Sequence, residues 1–132
     1  MKKKFIYPSK KSIIFTNEII NIMSNRKADQ HKLLQPDSFI DEIIKDTKET
    51  EGDVYDKAAL LMYKLITTHG FASGNKRTGF ITGLRFLRKN GGKIRAKTFK
   101  KADRIIKRIR QYHAKEIASW LRTGDIDETR LE

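Results

Sequence analysis

At 132 residues the chain is long enough for one domain with its own hydrophobic core. It has no cysteine, which excludes disulfides and thiolate metal sites, and no apolar run nears the roughly 18–20 residues that span a bilayer. With 29 Lys+Arg against 16 Asp+Glu, the formal charge of +13 suits nucleic acid, acidic proteins and nucleotides, or a merely solvated surface. The lysine-rich start lacks the apolar stretch of a signal peptide, so a soluble, cytoplasmic protein is expected.

Phe5 to Tyr7 form a short apolar patch stopped by Pro8, an extended arm or edge strand. Ser12 to Phe15 is β-branched and apolar, and Thr16 offers an N-cap for a first helix. Its expected inner face is Ile19, Ile20, Ile22 and Met23, with Glu18 in the first turn. Ser24 to Gln30 is polar and predicts a loop. A second helix starts near Pro36, capped by Asp37 or Ser38, with Phe39, Ile40, Ile43 and Ile44 inward. Asp46 to Gly52 has no apolar residue and predicts an exposed connection.

Asp53 then caps a third helix, with Asp56 at the capping-box position. Ala58, Leu61, Met62, Leu65 and Ile66 form its face, and Ala59 and Leu60 widen it, so this helix should be central. In the fourth helix Phe80, Ile81, Leu84 and Leu87 make the buried stripe, while Arg85, Arg88 and Lys89 face outward. Gly79 and Gly83 cost that helix on the order of 1 kcal/mol each, which predicts close approach of another helix there. Asn90-Gly91-Gly92 ends it.

Lys93 to Lys97 reads as a short strand or an extended crossing. A fifth helix follows from Thr98 or Asp103 to Gln111, with Ala102, Ile105, Ile106 and Ile109 inside. Lys100, Lys101, Arg104, Lys107, Arg108 and Arg110 make its outer face cationic. A last helix carries Ile117, Ala118, Trp120 and Leu121 and stops at Gly124, leaving an acidic, frayed tail from Asp125 to Glu132. With no internal repeat, the pattern predicts a compact all-α bundle of about six helices, a single domain over 1–132 with its core at about 12–124.

Between the third and fourth helices lies His69-Gly70-Phe71-Ala72-Ser73-Gly74-Asn75-Lys76-Arg77-Thr78. A helix opening onto a short polar loop leaves its first backbone N–H groups unpaired at the positive end of its dipole. With Lys76 and Arg77 beside them, those donors make an anion site, and His69 at its rim suggests group transfer from a phosphorylated ligand. His31 and His113 lack partners at metal spacing and read as structural.

The run His-x-Phe-x-x-Gly-Asn-Lys-Arg-Thr resembles the signature of the Fic/Doc family, His-x-Phe-x-[Asp/Glu]-[Gly/Ala]-Asn-[Gly/Lys]-Arg, with six positions in register. Lys57-Ala58-Ala59-Leu60-Leu61 before it and Phe86-Leu87-Arg88-Lys89-Asn90-Gly91 after it resemble the Doc (death on curing) branch. The resemblance implies a small all-α fold and transfer of part of a nucleoside triphosphate to a protein hydroxyl. Most members move AMP, whereas the Doc branch moves the terminal phosphate. It also implies a toxin held inactive by a small antitoxin partner, with a translation factor as target type.

By the same resemblance, His69 is the general base, Phe71 anchors the loop, and Gly74 permits the tight turn. Asn75 holds the loop or a phosphate oxygen, and Lys76, Arg77 and Thr78 complete the nucleotide site. Arg77 grips phosphate oxygens as charge shifts. Lys76 and Phe80 stand where the AMP-transferring pattern has glycine and a second arginine, and both match the Doc branch. Ser73 stands where an acid should carry Mg²⁺. Thr47, Lys48, Glu49, Thr50 and Glu51 take the place of the substrate-aligning flap. Thr47-x-x-x-Glu51-Gly52 also resembles the family's self-inhibitory motif, a coincidence of sequence that leaves inhibition to a separate partner.

The expected function is therefore transfer of the terminal phosphate of ATP to a Ser/Thr hydroxyl of a target protein, within a toxin–antitoxin pair. The alternatives are AMP transfer, or a weakly catalytic or inactive basic module. Such a module would bind an acidic protein or RNA through the fifth helix, with nucleic acid the minor branch.

Overall fold

The computed structural model describes residues 4–24 and 31–131. The loop expected over Ser24–Gln30 lies, beyond Ser24, outside the described residues, as do Met1–Lys3 and Glu132. The architecture is all-α: α1 (Lys10–Met23), α2 (Ser38–Glu49), α3 (Val54–Thr67), α4 (Asn75–Lys89), α5 (Ala96–Lys100), α6 (Ala102–Lys107) and α7 (Ala114–Thr123). Two 3-10 turns, Ile109–Gln111 and Thr129–Leu131, complete it, and among the described residues no strand is present.

Local chemistry explains the start of α3. Asp53 accepts from the N–H groups of Tyr55 (2.9 Å) and Asp56 (3.0 Å), and Asp56 accepts from the Asp53 N–H (2.9 Å), a complete capping box. Once started, α3 packs against α4, α7 and α2 and is the axis of the core. Ala58, Ala59, Leu61 and Met62 are fully buried there beside Leu87, Ile105, Ile117 and Trp120.

The two glycines of α4 mark where α3 comes closest, but not equally. A Cβ on Gly79 would stand 2.6 Å from Ile66 Cγ1 and 3.1 Å from the Met62 carbonyl oxygen; on Gly83 the first obstacle is Met62 Cε at 2.7 Å. The buried Ile66 branch and a backbone oxygen cannot swing away, whereas a methionine methyl can. Gly79→Ala is therefore expected to destabilise by about 1–3 kcal/mol of overpacking, less the ~1 kcal/mol of helix propensity gained. Gly83→Ala should come out near neutral. Urea midpoints of the two variants decide it, and equal values would refute the distinction.

The first helix corrects the sequence reading. It begins six residues before Thr16, at Lys10, capped by Ser9, which accepts from the Ser12 N–H at 3.1 Å. Its inner face is Ile13, Thr16, Asn17 and Asn21; Ile19, Ile22 and Met23, expected inside, are 37%, 70% and 76% exposed. Spacing alone offered two faces, and the polar one wins because its side chains have partners across the interface. The Arg85 guanidinium donates to Thr16 Oγ1 at 2.8 Å, and both asparagines reach the loop before α4.

In α4 the buried side carries Thr78, Gly79, Thr82, Gly83, Phe86 and Leu87, while Phe80, Ile81 and Leu84 are half-buried. The expected fifth helix is broken at Lys101 into α5 and α6, then turns as 3-10 from Ile109. Apolar spacing runs straight across that break, so the pattern carries no trace of it. Thr98 is no cap; it is fully buried inside α5. Lys93 to Arg95 is an extended crossing, clamped by Tyr55, whose hydroxyl accepts from the Lys93 N–H (2.9 Å) and donates to its carbonyl (3.0 Å).

The described part of the C-terminal tail, 125–131, is tied to the helices before it. Glu128 takes a fork from Arg104 at 2.5 and 3.0 Å, with Lys101 at 3.6 Å, and Asp125 pairs with Lys97. The acidic tail thus pairs with Lys101 and Arg104 of the cationic face it follows, while Lys107 pairs with Asp103. Arg130 grips Glu116, whose other contact is the His113 N–H at 2.8 Å, so His113 does start α7.

The Arg130 contact is the main reason that the Glu116 carboxyl is held down at about 2. A depressed carboxylate adds stability above its unfolded value of about 4.3 and loses it as pH falls toward 2. Glu116→Gln should therefore lower the urea midpoint at pH 7 and flatten its fall between pH 5 and 2. Parallel curves for the two proteins would show that the pair contributes nothing.

No helix among the described residues is long and apolar enough to cross a membrane.

Candidate active site

The loop from His69 to Gly74 joins the two best-packed helices, and its own side chains lock it. Asn75, the first residue of α4, folds back: its Oδ1 accepts from the Phe71 N–H (3.1 Å) and its Nδ2 donates to the Phe71 carbonyl (2.8 Å). Phe71 is buried against Phe39, with ring centroids 5.8 Å apart at 77°. Gly74 sits at φ +80°, a left-handed turn that side-chain-bearing residues rarely adopt. From there Gly74 N–H and the N–H groups of Asn75, Lys76 and Arg77 have no partner among the described residues, and pairing begins with Thr78 N–H to the Gly74 carbonyl (2.8 Å). Four unpaired donors at the positive end of a 15-residue helix make an anion cradle.

His69 stands at the rim, exposed, and at φ +51° it is the non-glycine residue held left-handed among those described. A bulky residue in that conformation stores on the order of 1–2 kcal/mol of strain, the kind of cost kept where a side chain must point a particular way. Lys76 and Arg77 are exposed beside the cradle. Ser73 is half-buried, and among the described residues no group of three His, Asp or Glu is placed to hold a metal. A neutral hydroxyl without carboxylates does not make a Mg²⁺ site, so any divalent cation would have to arrive on the phosphates.

Two parts of the expected site, Thr78 and the flap stretch, serve other ends. Thr78 is fully buried, and its hydroxyl accepts from Asn17 Nδ2 at 3.1 Å, so its side chain supports the loop and cannot meet a phosphate. The stretch expected as the flap lies at the wrong end of the molecule. Thr47, Lys48 and Glu49 are the last turn of α2, next to the start of α3, while His69 follows its end. A 14-residue helix puts about 20 Å between them. Thr47 is buried, and the absence of apolar residues from 46 to 52 reflects a helix end rather than a loop.

What holds that end is Lys57, only 5% exposed, whose ammonium donates to the carbonyls of Thr47 (3.0 Å), Lys48 (3.2 Å) and Thr50 (2.8 Å). Phe5 and Tyr7 of the N-terminal arm lie over it at 5.3 and 5.7 Å. A hollow of about 1060 Å³ opens here, remote from the histidine loop. Its buried cation already has all three N–H groups engaged, and the loop remains the better candidate.

The segment that does lie along the loop is 31–34. Leu33 and Phe71 form an antiparallel bridge, flanked by Leu34 N–H to the Gly70 carbonyl and Ala72 N–H to the Lys32 carbonyl, both 2.8 Å. Asn17 Nδ2 donates to the Ser73 carbonyl at 2.8 Å, and Asn21 Nδ2 does so at 3.3 Å. His31 Nδ1 is 2.8 Å from Asn17 Oδ1. Sequence reading missed Asn17 and Asn21, although two asparagines four apart inside an apolar helix are costly unless bonded and so carried a signal.

Comparison with known proteins gives one match. A sequence model described as the Fic/DOC family matches residues 9–87, more than half of the chain. No curated protein and no solved structure matches.

Proposed function

The chain belongs to the Fic/Doc family, and from that premise we propose that it moves the terminal phosphate of ATP onto a Ser/Thr hydroxyl of a target protein. One observation carries the reading: an exposed histidine held left-handed in a loop that ends on a locked helix terminus, where four N–H groups are unpaired among the described residues. The nucleotide's phosphates would lie on that terminus, with Lys76 and Arg77 drawing charge from the transferring group. His69 would take the proton of the acceptor hydroxyl as that oxygen bonds to phosphorus and ADP leaves. Imidazole suits the task as a nitrogen base that can accept a proton from a hydroxyl. Magnesium enters as part of the MgATP substrate.

Phosphate rather than AMP transfer is favoured by Phe80. Where the AMP-transferring pattern has a second arginine, this side chain is half-buried, stacked on Trp120 (centroids 6.2 Å, 17°) and edge-on to Phe99. It offers no charge to an α-phosphate. A small acidic antitoxin, and a translation factor as target, are the partners this reading takes over from the resemblance.

The test is paired labelling of cell extract, with ATP carrying label at the γ-phosphate in one arm and at the α-phosphate in the other. Label on protein from the γ arm alone is expected. Label from the α arm overturns phosphate transfer in favour of AMP transfer, and none from either leaves a binding role.

A further inference from the structure

A planar trans peptide points its C=O and N–H in opposite directions, so whatever captures the carbonyl aims the amide hydrogen. At the peptide joining Ser73 to Gly74, the carbonyl is captured from inside. Asn17 Nδ2 is 2.8 Å away and Asn21 Nδ2 is 3.3 Å away, both side chains being buried. The Gly74 N–H is therefore turned out of the core, where it has no partner among the described residues and begins the run of unpaired donors into α4. Reversed, the same peptide would put a carbonyl oxygen in the cradle and repel an anion.

Both asparagines are themselves held. Asn17 Nδ2 also donates to Thr78 Oγ1 (3.1 Å), and Asn21 Nδ2 donates to the Asn17 carbonyl (2.9 Å) and Oδ1 (3.0 Å). With its nitrogen so used, Asn17 must offer oxygen to His31, whose Nδ1 then carries the hydrogen of the 2.8 Å contact. His31 in turn lies against Phe71, with centroids 6.1 Å apart.

We propose that Asn17 and Asn21 are positioning residues: they set the direction of the Ser73–Gly74 peptide and so create the anion-facing amide of the loop. The consequence for nucleotide rests on the transferase reading above; the peptide's direction does not. Asn17→Asp keeps the oxygen that His31 meets but loses the donor and sets a carboxylate against the Ser73 carbonyl. Asn21→Ala removes the weaker contact to the Ser73 carbonyl together with its two bonds to Asn17, and leaves the shorter Asn17 contact in place.

The experiment follows the Gly74 amide of the full chain by ¹H–¹⁵N NMR, with hydrogen exchange of the loop compared to that of α3, and titrates with MgATP. In Asn17→Asp the Gly74 resonance should move and loop amides should exchange at least 10-fold faster, with Leu61 and Leu65 amides unchanged. MgATP affinity should fall at least 10-fold, and Asn21→Ala should show a smaller change in the same direction. A wild-type Gly74 resonance and wild-type loop exchange in Asn17→Asp would overturn the proposal. If Asn17→Asp does not fold, Asn21→Ala decides by the same resonance. If the wild-type protein binds no MgATP, the transferase reading fails while the resonance and exchange still judge the peptide.

Discussion

Replacing His69 with asparagine should lower γ-phosphate transfer by about 10²–10⁴-fold, the range expected for loss of a positioned general base. Asparagine is chosen because it tolerates the left-handed backbone that His69 adopts at φ +51°, so the loop need not move to accept it. The side chain is exposed, and its removal opens no cavity. The thermal midpoint should therefore stay within a few degrees and MgATP should bind as before. Initial rates with γ-labelled ATP check the first point and a titration checks the second. Transfer at the wild-type rate would remove His69 from the chemistry, whatever the fate of the phosphates.

Lys57→Met should have the largest effect on stability and none on the chemistry of a folded molecule. Hydrogen bonds to a charged group contribute about 1.5–3 kcal/mol each, and this ammonium makes three, closing the last turn of α2 and the connection to α3. Methionine fills the space but leaves three carbonyls without a donor. Those bordering the open hollow will gain water, so the loss should be nearer 3 kcal/mol than the full sum. In a chain of this size that lowers the thermal midpoint by roughly 10 °C. Because α3 separates Lys57 from His69, transfer per folded molecule should be unchanged below the transition. A midpoint within 2–3 °C of wild type would show that water replaces the ammonium at no cost.

How much of this was legible beforehand differs from element to element. The third helix was readable because its determinants are local: Asp53 and Asp56 sit at capping-box spacing, and its apolar residues leave little choice of inner face. Gly79 and Gly83 announced a close helix neighbour, though only the packing against Ile66 and Met62 ranks them. The histidine loop was visible as a motif, since glycine, amide and cations occupy consecutive positions.

The inner face of the first helix and the ion pairs of the tail were not legible, for one shared reason. Ile19, Ile22 and Met23 look like core, and Asp125 to Glu132 looks like solvated charge, when each is judged on its own residues. Their actual partners, Ser73 and Thr78 for Asn17, Arg104 for Glu128, are distant in sequence, and no periodicity encodes a hydrogen bond across 56 or 24 positions. The flap was misplaced likewise: the segment that lies on the loop, 31–34, is tied to it by backbone bonds, which any side chains can make.

By itself, then, the sequence determined an all-α chain, a central third helix, and a loop whose residue types suit phosphate. Those follow from spacing, capping and side-chain chemistry within a few turns of helix. Only the tertiary structure decided which face of α1 is inside, that Lys57 holds the end of α2, and that Thr78 supports the loop from beneath. It alone turned the Ser73–Gly74 peptide outward. Each of those depends on a donor meeting an acceptor from another helix, and such pairs exist only once the helices have packed.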